Sequence, residues 1–510
     1  MSPESSRRAS LIAAGLVALL GAAPPVAAHA LGESFQLPVP LWLYLAGAGT
    51  AVGASFVVIA VFTRGDPRPR YPVRPIGGRT SQVVSVLLQV TGMAWWYGAV
   101  AAGSIVGGVT PLPAALFWIG IWVGLPIVAV LLGNPWPSLS PFRTTFGLLE
   151  RGARLVGRDR LDAGWRYPPR LARWPAVLLL AAFVWAELVL PGSDVASTVT
   201  GLLVAYTLLT LVGMTLFGRL AWLRHVELFE VELGWYGRIG PIGRRVTAGE
   251  LCAGCEEACD PAGCVDCPEC AVAAEPGERR VELRPWFAGL TEVRGSGWSD
   301  AAFIILALTA VSYDGLSETG VWTAFAQLLF APARAILGDG YAFTAIDTFG
   351  LALLYALFMA VFRAAVTVTR ALGDPARPPS PGTTAGAYAA TLLPIAAGYV
   401  VAHYLTLVIQ GIAWIPGLIG DPLMTVAPGL DWVPVGAVWY LSVGAIVVGH
   451  VAGIALSHRI VLLDAPRAAV VASLPFVALM IGYTVLSLWI IAQPIVIEPG
   501  LPPAALRWGA

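Results

Sequence analysis

The amino-acid sequence predicts an all-α fold: a polytopic transmembrane helical bundle of about ten spans, with a small cysteine-rich cytoplasmic loop. Three observations predict this fold. Hydrophobic residues make up 57% of the 510 positions and charged residues only 12%, whereas charged residues make up about 25% of an ordinary soluble domain. The apolar residues form long runs, and the arginines lie mostly in alternate connecting segments. This composition excludes a disordered chain and a nucleic-acid-binding protein with a basic face.

The first 28 residues are typical of a secretory signal peptide. Two arginines precede an apolar run over residues 11–23, and small residues follow up to Ala30. A short basic region, an apolar core and an A-x-A-like end mark such a signal. We expect cleavage after Ala28 or after Ala30, and an uncleaved membrane helix is the alternative. Cleavage after Ala28 would make His29 the N-terminal residue, whose amine and imidazole could together bind copper.

Ten apolar runs follow the signal. A spanning helix needs about 20 mostly apolar residues, and its backbone must satisfy its own hydrogen bonds because lipid offers none. The run from Trp322 to Leu337 is interrupted by Pro332, and we interpret it as an interfacial or re-entrant segment. The predicted spans cover residues 40–62, 81–107, 112–132, 175–191, 195–217, 299–313, 341–363, 386–409, 434–457 and 468–492.

The arginine distribution predicts the orientation of these spans. Basic residues are concentrated on the cytoplasmic side of membrane proteins. The loops fall into two alternating sets, one on each side of the membrane. The set that includes both ends of the mature chain holds only two arginines, Arg334 and Arg507. We therefore expect spans 1–5 within 29–217, a cytoplasmic loop over 218–298 and spans 6–10 within 299–510, in the plasma membrane with both mature termini outside. Of the 31 arginines, 27 lie in the loops 63–80, 133–174, 218–298, 363–385 and 458–467.

The predicted cytoplasmic loop carries every cysteine of the chain. Structural disulfides are rare in the reducing cytoplasm. Thiolates at C-x2-C spacing can place two sulfurs on one tetrahedral ion, which predicts a zinc site. An iron–sulfur cluster is the alternative, because C-x4-C-x2-C and C-x2-C-x2-C spacings also occur, and a loop without stable metal is a third possibility. The cysteines are Cys252, Cys255, Cys259, Cys264, Cys267 and Cys270.

Ionisable residues within or at the outer ends of the predicted spans form a candidate site. Such residues are costly in lipid and commonly functional. Asp347 and His403 each lie about 9 Å from the outer end of a span, since a helix rises 1.5 Å per residue. At matching depth they could form an ion pair, a metal half-site or an acid–base pair; the alternative is two ordinary hydrogen-bonded side chains. The candidate residues are Glu187, Asp314, Asp347 and His403.

Four stretches of the chain resemble parts of a known family. They are HALGESFQLPVPLWLYLAGAG at 29–49, SYDGLSETGVW at 312–322, AAGYVVAHYLTLVIQG at 396–411 and WYLSVGAIVVGHVAGIALSH at 439–458. Together they resemble a family of polytopic membrane proteins of high-GC prokaryotes, most of which carry no functional name. Some members are labelled fenitrothion hydrolase, so the resemblance implies hydrolysis of organophosphate triesters. The cysteine loop is not part of the resemblance.

Three functions agree with these features. The first is transport or metal and ion handling through the outer polar residues. The second is a membrane-embedded hydrolase in which Asp314, Asp347 and His403 hold a metal or a water. The third is an electron-transfer or sensor subunit built on the cysteine loop. We favour the first, because the H-E-x-x-H and G-x-S-x-G motifs of common hydrolases do not occur. The expected partners are the lipid bilayer and a small solute or ion, and whether the protein is an enzyme stays open.

Overall fold

The computed structural model describes most of the chain between residues 41 and 493. The described residues are 41–62, 74–76, 79–106, 110–158, 160–247, 264–267, 270–271, 274–275, 278–293, 297–373, 385–424, 429 and 432–493. The predicted signal peptide and His29 lie outside these residues, as do Cys252, Cys255 and Cys259. The predictions for these positions therefore remain predictions.

Helices dominate the described residues. The helices of the first half are α1 Leu41–Phe62, α2 Arg79–Ile105, α3 Leu112–Leu131, α4 Trp136–Leu139, α5 Pro141–Leu155, α6 Trp174–Leu188, α7 Ala196–Phe217, α8 Arg219–His225 and α9 Leu228–Tyr236. The strands are β1 Arg74–Ile76, β2 Ile242–Val246, β3 Cys264–Val265 and β4 Arg279–Leu283. The second half forms α10 Trp298–Ser317, α11 Gly320–Leu337, α12 Asp339–Leu372, α13 Ala385–Ala390, α14 Leu393–Gly420, α15 Val435–Asp464 and α16 Ala469–Ala492.

The predicted transmembrane helical bundle is confirmed. Among the described residues, ten helices are long and apolar enough to cross a membrane, with α13 and α14 counted as one. The chain is therefore an integral membrane protein. The set differs from the prediction at two places. Helix α6 has 15 residues and is shorter than a typical span, whereas α11 meets the length and apolarity of one.

Helix α11 lies along the first part of α12 as one arm of a helical hairpin. The Trp322 ring packs where a side chain at Gly350 would otherwise lie. Farther along, the rings of Phe330 and Phe343 stack with centroids 4.5 Å apart. The phenol of Tyr313, near the end of α10, contacts the backbone of Asp347. The start of α12 therefore projects past the end of α10, and α11 pairs with this projecting part.

Helix α10 lies at the centre of the bundle. It contacts α6, α12, α13 and α14, and most of its residues are buried. Its first turn is tied to the neighbouring segment by the ion pair between Arg173 and Asp300. Its last turn carries Asp314, which is thereby held among the helices that bear the other candidate residues.

The segment predicted as a cytoplasmic loop is more structured than a connector. Eight of the nine residues of α9 are buried, and α9 contacts α3, α4, α6 and α14. The helix begins at Glu227, whose carboxylate accepts hydrogen bonds from the backbone N–H groups of Phe229 and Glu230. A side-chain acceptor at this position satisfies N–H groups that a helix leaves unpaired. Part of the segment 218–298 is therefore inserted between the helices of the bundle.

A small antiparallel sheet forms from the rest of this segment together with β1. The strand order is β1-β4-β2-β3. In the register, Arg244 lies opposite Val281, and Val246 lies opposite Cys264. Arg245 and Glu282 form an ion pair across the sheet. This sheet was not expected from the sequence. It brings the second half of the cysteine cluster to the edge strand β3.

Candidate functional site

Asp314 receives two hydrogen bonds from α14. Its Oδ2 atom lies 3.0 Å from Nε2 of His403 and accepts a 2.6 Å hydrogen bond from the Tyr404 hydroxyl. The His403 ring is also stacked parallel to the Tyr399 ring. Gly315 allows α10 and α14 to lie this close together, since a Cβ atom at that position would lie 2.6 Å from the Tyr399 hydroxyl.

The partner of His403 differs from the predicted one. Sequence depth suggested a pair between Asp347 and His403, whereas the structure pairs His403 with Asp314. The reason is helix arrangement, because α10 packs against both α12 and α14. The Asp347 backbone oxygen accepts a hydrogen bond from the Tyr313 hydroxyl instead.

Three of the four predicted residues line one cavity, and a fourth carboxylate joins them. The cavity is named the outer cavity because these residues lie at the predicted outer ends of the spans. It has a volume of about 100 Å³ and is lined by Glu187, Asp314, Glu318 and Asp347. Ser317 and Tyr404 also line it, and no basic side chain does so among the described residues. His403 lies behind Asp314 and is bonded to it. A cavity lined by ionised groups of one sign concentrates ions of the other sign, so a lining of this kind can accommodate protons or cations.

Glu318 is a residue of this cavity that the sequence did not predict. It follows the last residue of α10 and lies four positions after Asp314, a spacing at which helical side chains are neighbours. The acidic pair in the stretch SYDGLSETG was therefore a usable signal. Asp314 directly follows the predicted span, whereas Glu318 lies farther from it, in the connecting segment.

A further missed residue is Glu232 of α9. Its carboxylate lines a smaller cavity that also touches Glu187 and Tyr404. Nothing in the sequence predicted that residues of the segment 218–298 would reach the intramembrane site. The insertion of α9 between helices brings Glu232 there.

The carboxylates of the outer cavity are not arranged as a close metal site. Among the described residues, only the three cysteines discussed next bring three ligand atoms of His, Cys, Asp or Glu within 4.8 Å of one another. Dehydrated metal ions need several ligand atoms at about 2.0–2.6 Å. A proton, or a cation that keeps part of its water, does not need so close a set of ligand atoms.

The second half of the cysteine cluster is compact. Cys264, Cys267 and Cys270 are buried, and their sulfur atoms lie within 4.8 Å of one another. Asp266 has a positive φ of 53° and turns the chain between the first two cysteines. Its carboxylate accepts hydrogen bonds from the Arg244 backbone N–H and from the Arg284 guanidinium, which hold the turn. These three cysteines can therefore bind a metal ion together.

The chain was compared with known proteins. No protein-family model, no curated protein and no solved structure matches it. The function of the protein is therefore inferred from the residues of the outer cavity, from the cysteine cluster and from the geometry of both.

Proposed function

We propose that the protein is a membrane transport protein that binds cations in the outer cavity. The observation that supports the proposal is the convergence of four carboxylates on one cavity, where no described residue contributes a basic side chain. Several carboxyl groups that share one site are not all ionised at the same time unless bound cations compensate their charge; otherwise some of them hold a proton. The cavity is large enough for a few water molecules. It therefore suits protons or a partly hydrated cation.

The arginine distribution supports an extracytoplasmic opening of the cavity. Arg173 pairs with Asp300 at the start of α10, in a part of the chain where arginines are frequent. Asp314 lies 14 residues farther along the same helix, which corresponds to about 21 Å. The cavity is thus at the arginine-poor end of α10, which is the outer end under the positive-inside rule. In this orientation both mature termini are extracytoplasmic and the cysteine cluster is cytoplasmic.

Uptake into proteoliposomes tests the transport function. The purified protein is reconstituted, and the entry of protons and of monovalent and divalent metal cations is measured in separate experiments. We expect uptake of at least one of these cations by the wild-type protein, and its loss in Asp314→Asn and in Glu187→Gln. Asp339→Asn is the matched control, because it removes an exposed carboxylate that pairs with Arg334 and does not line the cavity.

Two results would contradict the transport function. The first is a wild-type protein that carries none of these cations although it is folded and correctly reconstituted. The second is uptake that Asp314→Asn and Glu187→Gln leave unchanged. In either case the four carboxylates would have a structural role.

A membrane-embedded hydrolase is the second candidate. The observation that favours it is the 3.0 Å contact between His403 and Asp314 beside a cavity. A carboxylate that contacts an imidazole orients it and stabilises its protonated form, so such a pair can take a proton from water. This candidate agrees with the resemblance to proteins labelled fenitrothion hydrolase. Hydrolysis of an organophosphate triester by purified wild-type protein, lost in His403→Gln, would support it.

We propose zinc as the ion of the cysteine cluster. Four thiolates around zinc at about 2.3 Å leave sulfur atoms about 3.8 Å apart, and the three described sulfurs lie within 4.8 Å of one another. One of Cys252, Cys255 and Cys259 would supply the fourth ligand. The ion would have a structural role, since it would hold a small segment to the sheet. An iron–sulfur cluster, with an electron-transfer or sensor function, is the alternative.

A further inference from the structure

A smaller cavity adjoins the outer cavity and extends to α9. Glu187 and Tyr404 line both cavities, whereas Glu232 and Tyr236 line only the smaller one. This inner cavity has a volume of about 40 Å³. Apart from these four side chains, its lining consists of alanine, valine, leucine, proline and tryptophan residues. Glu187 therefore stands between two spaces, one lined by four carboxylates and one that is largely apolar.

Glu232 is buried without full hydrogen bonding. The residue is 6% exposed, and its Oε2 atom has no hydrogen-bond partner. Glu227, five positions earlier, is equally buried but accepts hydrogen bonds from Trp136, Tyr206 and two backbone N–H groups. A buried carboxylate oxygen without a donor is strongly unfavourable unless a ligand or a proton satisfies it. Glu230 of the same helix also has one unpartnered oxygen, but its other oxygen pairs with Arg143. Glu232 is thus the incompletely hydrogen-bonded carboxylate of α9 that lines the inner cavity.

We infer that Glu232 is an inner proton-binding residue and that protons pass between Glu187 and Glu232 through the inner cavity, a step that rests on the proposed transport function. In this step the carboxylic acid of Glu187 gives its proton to the carboxylate of Glu232, directly or through a water molecule. The O–H bond of Glu187 breaks as the O–H bond of Glu232 forms. No oxidant, reductant or other co-reactant is required.

The lining of the inner cavity favours a proton over a metal cation. A cation would need several oxygen ligands to replace its water, and the inner cavity offers two carboxylates and two phenols. A space of about 40 Å³ holds only a few water molecules. A proton needs no such shell, because it neutralises the carboxylate that accepts it.

The surroundings of Glu232 favour the protonated form of its carboxyl group. Burial raises the pKa of Glu232 to about 8, and the neighbouring Glu227 carboxylate adds to the rise. The groups of other helices that share its cavity are Glu187 of α6 and Tyr404 of α14, and Tyr236 lies on α9 itself. No basic side chain lines this cavity among the described residues. A residue of this kind can exchange its proton in the physiological range.

Proton flux into proteoliposomes with an internal pH-sensitive dye tests this inference. An imposed pH gradient drives the flux, and potassium with valinomycin compensates the charge. We expect Glu232→Gln to lower the flux about 100-fold, the low end of the contribution of a proton-transfer group. Glu232→Asp should recover part of it, because the carboxyl group is kept. Glu150→Gln is the matched control, because Glu150 pairs with Arg219 away from both cavities.

The outcomes separate this inference from the proposed function. Wild-type flux in a monodisperse Glu232→Gln variant, together with its loss in Asp314→Asn, would overturn the inner proton step and leave transport standing. Uptake of a metal cation by the wild-type protein without any proton flux would likewise overturn the inner proton step and leave transport standing. A wild-type protein that carries no cation at all would overturn both. If Glu232→Gln and Glu232→Asp both misfold, Tyr236→Phe provides a further test. This variant keeps the Glu232 carboxylate and should retain most of the flux. Complete loss of flux in folded Tyr236→Phe would overturn the inference.

Discussion

The Nε2 atom of His403 lies 3.0 Å from the Oδ2 atom of Asp314. The same oxygen accepts a hydrogen bond from the Tyr404 hydroxyl, so two neighbouring residues of α14 converge on one atom of α10. This arrangement orients the Asp314 carboxylate at the wall of the outer cavity. It also connects the central helix of the bundle to α14 through polar contacts.

Tyr404→Phe should weaken this connection without creating a cavity. The substitution removes one hydrogen bond to Asp314 and should lower the free energy of unfolding by about 1 kcal/mol, as for polar contacts between membrane helices. Thermal unfolding in detergent measures the change. Tyr341→Phe is the control, because Tyr341 is 73% exposed and its substitution should have little effect. Equal stability of the two variants would mean that the Tyr404 hydroxyl contributes nothing.

Glu227→Ala should destabilise the protein strongly. The substitution removes the cap of α9 and leaves the buried Trp136 and Tyr206 donors without their acceptor. Breaking a buried polar network of this kind costs about 4 kcal/mol, and Glu227→Gln should cost less because an amide oxygen still accepts. Thermal unfolding again provides the measurement, with Glu150→Ala as a control that loses one partly exposed ion pair. A cost for Glu227→Ala no larger than the control would contradict the capping role.

Acidification should destabilise the region around His225. Burial, with Arg224 and Arg173 as further causes, lowers the pKa of His225 to about 4. The pKa in the unfolded chain is about 6.5. Between these values the unfolded chain binds a proton that the folded protein does not bind, so stability falls as the pH drops from 7 to 5.

His225→Phe isolates this contribution. Phenylalanine can retain the stacking on Tyr167 and does not titrate. The variant should lose less thermal stability than the wild-type protein between pH 7 and pH 5. Identical losses would show that His225 does not contribute to the acid sensitivity.

Removal of the cysteine thiolates should remove bound metal. Combined Cys264→Ser and Cys267→Ser should abolish the binding of about one zinc ion per chain, because a tetrahedral site would lose two of its four ligands. Elemental analysis of purified protein measures this, and Asp314→Asn is the control that should keep its zinc. Iron together with visible absorption would indicate an iron–sulfur cluster instead. Metal content unchanged by the double substitution would contradict a site at these cysteines.

Reporter fusions should place the end of α11 and the segment that precedes α10 on opposite sides of the membrane. A reporter inserted after Gly338 should be extracytoplasmic, and one inserted within 271–278 should be cytoplasmic. The reason is the concentration of 27 of the 31 arginines in one set of loops. Detection of both reporters on the same side would contradict this orientation.

Part of the site was predictable from the sequence alone. Glu187, Asp314 and Asp347 were identified because a carboxylate within or next to an apolar run is conspicuous, and the structure places all three at one cavity. Glu318 and Glu232 were missed because both lie outside the predicted spans. Their contribution depends on where the chain returns after a helix ends, which hydropathy does not report.

The sequence by itself determined that this protein is a bundle of membrane-spanning helices, because the requirement for long apolar runs with internally satisfied backbones is local. Only the tertiary structure decided that His403 pairs with Asp314, that α9 enters the bundle and that Cys264 joins a sheet. These contacts depend on which helices are neighbours and on how each is rotated about its axis. Helix neighbours and rotations result from packing among the helices, and hydrophobic residues on every side of a span leave both unspecified.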